Sequence, residues 1–171
     1  DDAEIDARLR SLRASGKPPT DKYDNREVGM NSRLDTLQAA ILLPKFEAFV
    51  KYELDDINKM AATYTRELSG SVVTPMIPEG FYSSWAQYTI LLKNEETRTR
   101  IQKELREHEI PSMIYYPRGL HQQAAFSEMH LSDKEYPNTI EATRRCLSLP
   151  IHPYMKEEDQ KQIISTLLEA L

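Results

Sequence analysis

An apolar stripe with helical spacing runs from Leu34 to Leu68 and constrains the fold more than any other feature of the sequence. Its members lie three or four positions apart, as on one face of an α-helix. They are Leu34, Leu37, Ile41, Phe46, Val50, Leu54, Ile57, Ala61, Tyr64 and Leu68. Pro44 lies within the stripe, and proline inside a helix costs roughly 3 kcal/mol because it lacks an amide hydrogen and clashes with the preceding turn. The pattern predicts one long helix, or two in line, with a kink or a fresh start at Pro44.

Helix and strand patterns alternate in the rest of the chain. Helical spacing occupies the residues before Gly16, residues 95–108 and the residues after Pro153. Strand-forming residues concentrate at 72–73, 84–92, 110–116 and just after Cys146. Pro111 gives the segment 110–116 an edge or entry position in a sheet, because proline cannot donate to a strand ladder. This alternation predicts an α+β fold.

The composition is that of a mildly acidic globular protein. Of the 171 residues, 40% are hydrophobic and 29% are charged, and the formal net charge is −5. A negative net charge provides no basic surface to attract nucleic acid. The sequence also contains no signal-peptide pattern and no apolar run of about 20 residues, so it does not suggest a membrane partner. Cys146 is the only cysteine, which excludes an intrachain disulfide. We therefore expect one domain, or one and a half, in a reducing cytoplasm.

A polar segment, Gly-Met-Asn-Ser-Arg-Leu-Asp, leads into the apolar stripe at residues 29–35. Gly29 can serve as a hinge, and Asn31 or Ser32 could accept a hydrogen bond from the first free amide groups of the helix. A helix cap does not, however, require Arg33 and an aspartate on the following turn. The whole segment therefore indicates a more specific role than capping.

A second polar cluster follows the strand pattern at 110–116. Tyr115 and Tyr116 precede a Pro-Arg-Gly turn, and His121 comes just after it. Tyrosine offers a flat face for a base or a sugar, arginine a forked donor for phosphate, and neutral histidine one hydrogen bond. Taken alone, the cluster favours half-buried strand tyrosines and a surface histidine over a binding site. Loops at strand ends often bind ligands, so the cluster is a candidate site.

Three segments together are similar to motifs of the DegT-type sugar aminotransferases, which are pyridoxal-phosphate (PLP) enzymes with the aspartate aminotransferase fold. The family's Gly-x-Asn-x-Arg-Leu-Asp motif matches residues 29–35, its Tyr-x-x-x-Leu-His-x-Gln motif matches residues 116–123, and its Ser-Leu-Pro-x-x-Pro ending matches residues 148–153. Two positions depart from the pattern. Gly119 stands where the family commonly has proline, and Lys17-Pro18-Pro19 loosens the match in the first loop.

The resemblance implies that this chain is the C-terminal part of such an enzyme, with an α+β fold cut from an α/β parent. Residues 1–33 would be a remnant of the large PLP-binding domain and would include a dimer-interface loop. Residues 34–70 would form a long kinked helix between the domains. Residues 71–171 would form a small C-terminal domain, with a short, mainly antiparallel sheet flanked by helices.

The activity that the resemblance implies is PLP-dependent transfer of an amino group from glutamate to a nucleotide-linked keto-sugar, in cell-surface polysaccharide or natural-product sugar biosynthesis. The spelling of residues 31–38 is closest to enzymes that act on UDP-linked N-acetyl uronic sugars. The partners would be the nucleotide-sugar, glutamate and a second subunit that shares the active site, with no nucleic acid or membrane. The lysine that binds PLP covalently would lie outside the chain, so the isolated chain is expected to bind PLP weakly and to transaminate nothing.

The resemblance also implies roles for particular residues. Asn31 matches the residue that reaches the PLP phosphate of the neighbouring subunit, and Arg33 would orient that turn. Tyr115, Tyr116 and His121 match the region that meets the nucleotide-sugar. Lys17 would meet the diphosphate of that substrate. These assignments place no catalytic residue within the chain.

Other classes of protein fit less well. The histidines at 108, 121, 130 and 152 have no metal-ligand spacing, so no metal site is predicted. No Gly-x-Ser-x-Gly elbow of a serine hydrolase is present. The remaining alternative is a non-catalytic regulatory or protein-binding module of the same fold, with an exposed apolar face.

Overall fold

A computed structural model describes residues 2–18, 20–21 and 23–171. The chain forms two compact units, Asp1–Ala48 and Phe49–Leu171. The boundary between them lies inside the apolar stripe 34–68. Each unit is described separately below.

The described residues of the first unit form two helices. Helix α1 spans Ala3–Arg13, and the Asp2 carboxylate caps it by accepting hydrogen bonds from the amides of Glu4 and Ile5 at 3.0 and 3.2 Å. An aspartate cap is favourable because it satisfies amides that have no partner within the helix. Helix α2 spans Thr36–Ala48 and buries none of its residues.

Pro44 neither ends nor restarts helix α2, which continues through it to Ala48. The missing amide removes only one bond, to the carbonyl of Ala40, and in an exposed helix water can satisfy that carbonyl. The helical hydrogen-bond pattern changes instead at Phe49–Glu53, a π-helical turn at the start of the second unit. The predicted fresh start at the proline is therefore wrong, and the irregularity lies five residues further on.

The second unit is an α+β structure. After the π-helical turn, its elements are α3 (Leu54–Leu68), β1 (Tyr88–Leu91), α4 (Glu95–Glu107), short 3-10 turns (Leu120–Gln122, Ala124–Met129 and Asp133–Glu135), α5 (Pro137–Arg145), β2 (Cys146–Leu149) and α6 (Glu157–Glu169). Strands β1 and β2 pair antiparallel, with Tyr88 opposite Leu149 and Leu91 opposite Cys146. The predicted fold class, a short antiparallel sheet flanked by helices, is confirmed.

The strand expected at residues 110–116 is reduced to one bridge, between Met113 and Ser148. Pro111 cannot donate to a ladder, and Glu109 lies in the left-handed region at φ +59°, which turns the backbone just before the segment. The segment 72–73 likewise contributes only isolated bridges, from Val73 to Leu91 and from Val72 to Ser69. Both sequence runs therefore extend the sheet without forming strands.

The core of the second unit lies between the two strands and helices α3, α4 and α6. Helix α3 buries the C-terminal part of the apolar stripe, as the spacing predicts: Ile57, Ala61, Tyr64 and Leu68. The strands add Tyr88, Ile90, Leu147 and Leu149. Helices α4 and α6 add Ile101, Leu105, Ile163, Ile164 and Leu167. The N-terminal part of the same stripe is exposed in the first unit: Leu37, Ile41 and Phe46.

We expect the second unit to lose stability at alkaline pH. Burial raises the pKa of Tyr64, Tyr88 and Cys146 above their ordinary values. Unfolding exposes these groups, which then release protons at their ordinary pKa. Their contribution to the free energy of unfolding is therefore fully present below about pH 8.5 and is lost as the pH rises. The free energy of unfolding should fall by at least about 1 kcal/mol between about pH 8 and about pH 11.

Urea unfolding followed by circular dichroism across this pH range measures the effect. The Cys146→Ala variant is the control, since it lacks the thiol and should lose less stability over the first part of the range. A free energy of unfolding that stays constant to pH 11 in both proteins would contradict the prediction.

Candidate functional site

Asn31 lies on the loop that connects α1 to α2 in the first unit. Its backbone forms an antiparallel bridge with Ala14, and its side chain is exposed. Helix α2 begins at Thr36, so the N-cap position belongs to Asp35, and neither Asn31 nor Ser32 occupies it. The capping interpretation is therefore wrong. Among the described residues, the Asn31 amide has no hydrogen-bond partner and is open to a ligand.

Two glycines fix the loop beneath Asn31. A Cβ at Gly29 would lie 2.3 Å from the backbone nitrogen of Gly16 and 2.5 Å from the carbonyl oxygen of Leu12. Gly16 itself has φ +73°, a conformation that favours glycine. The Met30 amide donates to the Leu12 carbonyl at 2.7 Å. The backbone that presents Asn31 is thus held by close contacts that no larger residue permits.

The other predicted residues of the first unit share this loop region. The Arg33 side chain is exposed, and Lys17 is half-buried next to Gly16. Pro19, which belongs to the departure from the family pattern, lies outside the described residues. The loop therefore presents Asn31 and Arg33 on its exposed side, while Lys17 is partly covered.

In the second unit, Tyr115 and Tyr116 line a cavity of about 800 Å³ next to the sheet. Their rings meet edge to face at 5.5 Å, and both are accessible, with exposed fractions of 37% and 67%. Other lining residues come from the strands, the following turn and α5: Thr89, Leu91, Arg118, Asn138, Thr143 and Cys146. The walls are mostly apolar with a few polar groups, which is typical of small-molecule sites.

His121 does not line this cavity. Its side chain is only 5% exposed, and its Nε2 lies 3.0 Å from Oδ1 of Asp133. The ring stacks on Tyr136 with 4.6 Å between ring centroids. His121 therefore supports the loop from inside, and its role as a substrate contact stays a prediction.

The contact between His121 and Gly119 explains the departure from the family pattern. A Cβ at Gly119 would lie 2.7 Å from Cε1 of His121 and 2.8 Å from a methyl carbon of Thr139. The Gly119 amide also donates to Oε1 of Gln122 at 3.0 Å. Proline at this position would lack that amide and would collide with the histidine ring. Glycine is therefore the residue that this arrangement of the loop needs.

The sequence reasoning missed the contribution of α5 to the cavity. Thr139 and Thr143 are four residues apart and so lie on one face of the helix. That spacing is visible in the sequence, but nothing there shows that the face turns toward Tyr115. The Cys146 thiol also lines the cavity. Burial raises its pKa above the ordinary value, so the thiol is uncharged at neutral pH.

Two further sequence predictions concern absences. Among residues 2–18, 20–21 and 23–171, no group of three or more His, Cys, Asp or Glu side chains could hold a metal ion. Within the same residues, no helix has both the length and the apolar character needed to cross a membrane.

The α+β unit and the two motif-bearing loops define a chain of the aminotransferase class. Residues 1–168 match the DegT/DnrJ/EryC1/StrS aminotransferase family, and the chain belongs to that family.

Three similar proteins cover nearly the whole chain. A pleiotropic regulatory protein of Geobacillus stearothermophilus is 37% identical over 98% of this chain and 45% of its own length. The UDP-2-acetamido-2-deoxy-3-oxo-D-glucuronate aminotransferase of Pseudomonas aeruginosa is 35% identical over 97% of this chain and 44% of its own length. The crystal structure of a DegT DnrJ EryC1 StrS aminotransferase from Brucella abortus superimposes with a TM-score of 0.85, at 39% identity, over 98% of this chain and 44% of that one. The chain thus spans less than half the length of these relatives.

Proposed function

We propose that this chain is part of a PLP-dependent aminotransferase that transfers an amino group from glutamate to the keto carbon of a nucleotide-linked sugar. The observation that carries the proposal is the exposed Asn31 amide, which has no partner among the described residues and lies on a loop fixed by Gly16 and Gly29. A structural cap would not leave this side chain open. The sugar named for the Pseudomonas aeruginosa relative supports a UDP-linked N-acetyl keto-uronic sugar as the particular substrate.

The residues present fit a role at the edge of a PLP site. When bound, PLP acts as an electron sink at the carbon that carries the amino group. The Asn31 amide would donate a hydrogen bond to the PLP phosphate, and Arg33 would orient the turn. Tyr115 and Tyr116 would flank the nucleotide-sugar, and Lys17 would meet its diphosphate.

The proposal also assigns parts of the active site to different subunits and domains. Asn31 would reach the cofactor of a second subunit, so the active site would be shared within a homodimer. Residues 1–33 would belong to the large domain, 34–70 would connect the domains, and 71–171 would form the small domain. The lysine that binds PLP covalently would lie outside this chain, and the reaction would take place in the cytoplasm.

The test uses the complete product of the gene that encodes this chain. We expect the purified protein, supplied with PLP, to show the absorption band of bound cofactor, and glutamate to convert that band to the band of the aminated cofactor. The 171-residue chain alone should show neither the band nor the conversion. A folded complete product that binds no PLP, or whose spectrum glutamate leaves unchanged, would refute the proposal.

A second candidate function is a regulatory module of the same fold. It is favoured by the name of the Geobacillus stearothermophilus relative, a pleiotropic regulatory protein. The exposed apolar residues Leu37, Ile41 and Phe46 of α2 would then contact a protein partner. The same spectra discriminate the two functions, because a purely regulatory protein has no need to convert bound PLP with glutamate.

A further inference from the structure

Two arginines without partners line one groove on the second unit. The groove has a volume of about 400 Å³ and lies between the turn at Pro117 and helix α5. Arg118 comes from the turn and Arg144 from the last helical turn of α5. Both side chains are exposed, and neither has a hydrogen bond or an ion pair with any described residue.

The two acidic residues of the groove, Glu95 and Asp133, pair with side chains other than the two arginines. Glu95 accepts a hydrogen bond from Nη2 of Arg98 at 3.1 Å. Asp133 Oδ1 accepts from Nε2 of Gln122 at 3.0 Å and lies 3.0 Å from Nε2 of His121. Both arginines therefore line the groove, and neither pairs with its carboxylates, each of which has one oxygen bonded to another side chain.

The neighbouring Arg145, by contrast, has partners. Arg145 pairs with Glu141 one turn earlier, and its Nε donates to the carbonyl of Leu92. Arg144 instead lines the groove and the neighbouring pocket beside Glu141, without a partner among the described residues. An unpaired guanidinium offers several donors in a fork that fits the two oxygens of a carboxylate or a phosphate.

The groove adjoins the tyrosine-lined cavity. Arg118 and Thr143 line both spaces, so the two lie side by side. The cavity offers the flat faces of Tyr115 and Tyr116, and the groove offers the two arginines beside Glu95 and Asp133. The combined shape suits a ligand with a planar or apolar part and an anionic group attached to it.

We propose that Arg118 and Arg144 form an anion-binding site for a phosphate or carboxylate group of a ligand whose uncharged part lies against Tyr115 and Tyr116. That this ligand is a nucleotide-sugar rests on the proposed function. The anion site itself rests on the two arginines and on the connection between the groove and the cavity.

Calorimetric titration of the 171-residue chain with UDP, uridine and D-glucuronate at low ionic strength tests the site without PLP or glutamate. UDP should bind at least about tenfold more tightly than uridine, because only UDP carries the charged oxygens. Arg118→Ala and Arg144→Ala should each weaken UDP binding about tenfold. Arg118→Lys should restore part of the affinity, because lysine keeps the charge but not the fork.

The matched control is Arg106→Ala, which removes one exposed arginine from the end of α4 and should leave the Kd unchanged. If glucuronate rather than UDP binds with the same dependence on both arginines, the site stands and its anion is a carboxylate. Binding of UDP no tighter than uridine, without arginine-dependent binding of glucuronate, overturns the proposal. So does any anion affinity that both alanine variants leave within about twofold.

The test is independent of the spectroscopic experiment above. UDP binding that depends on the two arginines, together with a complete gene product that fails to use PLP, would keep the anion site and remove the aminotransferase assignment. If glutamate converts the bound PLP but UDP binding does not depend on the two arginines, the aminotransferase assignment stands and the anion site is refuted.

Discussion

Asn58→Ala is expected to lower the free energy of unfolding of the second unit by about 3 kcal/mol. The Asn58 side chain links α3 to the segment before β1. Its Oδ1 accepts from Nε1 of Trp85 at 2.8 Å, and its Nδ2 donates to the carbonyl of Ser83 at 3.0 Å. Trp85 is 8% exposed, and its φ of +47° is an unusual backbone conformation that the surrounding contacts must stabilise. Alanine would leave a buried indole N–H and a half-buried carbonyl without partners.

Urea unfolding of Asn58→Ala, followed by Trp85 fluorescence, measures this loss because Trp85 is the only tryptophan in the chain. Asn58→Asp should be at least as damaging, since a carboxylate can accept from the indole but faces the Ser83 carbonyl without a donor. Asn138→Ala, at an exposed asparagine of α5, is the matched control and should change stability by less than about 0.5 kcal/mol. Equal stability of the Asn58 and Asn138 variants would show that the bonds to Trp85 and Ser83 contribute little.

Asn31→Ala in the complete gene product should weaken its affinity for PLP by about tenfold or more. The proposed function gives the amide a hydrogen bond to a phosphate oxygen, and bonds to charged groups contribute roughly 1.5–3 kcal/mol each. Asn31→Asp should weaken binding further, because a carboxylate repels the phosphate. Titration of the apoprotein with PLP, followed by absorbance, gives the Kd of each variant.

Asn25→Ala controls for loss of an asparagine from the same loop, since Asn25 is also exposed in the first unit. Its Kd for PLP should equal that of the unmodified protein. Circular dichroism of each variant shows whether the fold is retained, as we expect for exposed positions. An Asn31→Ala protein that binds PLP within about twofold of the unmodified one would remove the cofactor role of Asn31.

Local patterns were sufficient to predict most of the helices. The three-to-four spacing of Ile57, Ala61, Tyr64 and Leu68 identified the buried face of α3 because that spacing is a property of the helix itself. The acidic pair Glu95 and Glu96 marked the start of α4 for a similarly local reason. The motif at Asn31 could be found because several residue types recur there in a fixed order, and a helix cap alone does not require that order.

The strands were harder to predict, because a strand exists only where a second strand pairs with it. The apolar runs at 72–73 and 110–116 have strand-forming side chains, yet they contribute only isolated bridges. Trp85 is a second case in which strand propensity alone did not predict the structure. Its aromatic character favours a strand, but its backbone lies in the left-handed region and its indole donates to Asn58, 27 residues earlier.

The sequence by itself determined the helical faces, the family motifs and the separation of a polar loop from an apolar stripe, since all of these depend on neighbours along the chain. Only the tertiary structure decided that half of the stripe is exposed, that His121 is enclosed beneath Gly119, and that Arg118 and Arg144 line one groove. These outcomes depend on which residues distant in sequence are packed together. Burial and pairing are properties of that packing, so spacing within a segment does not encode them.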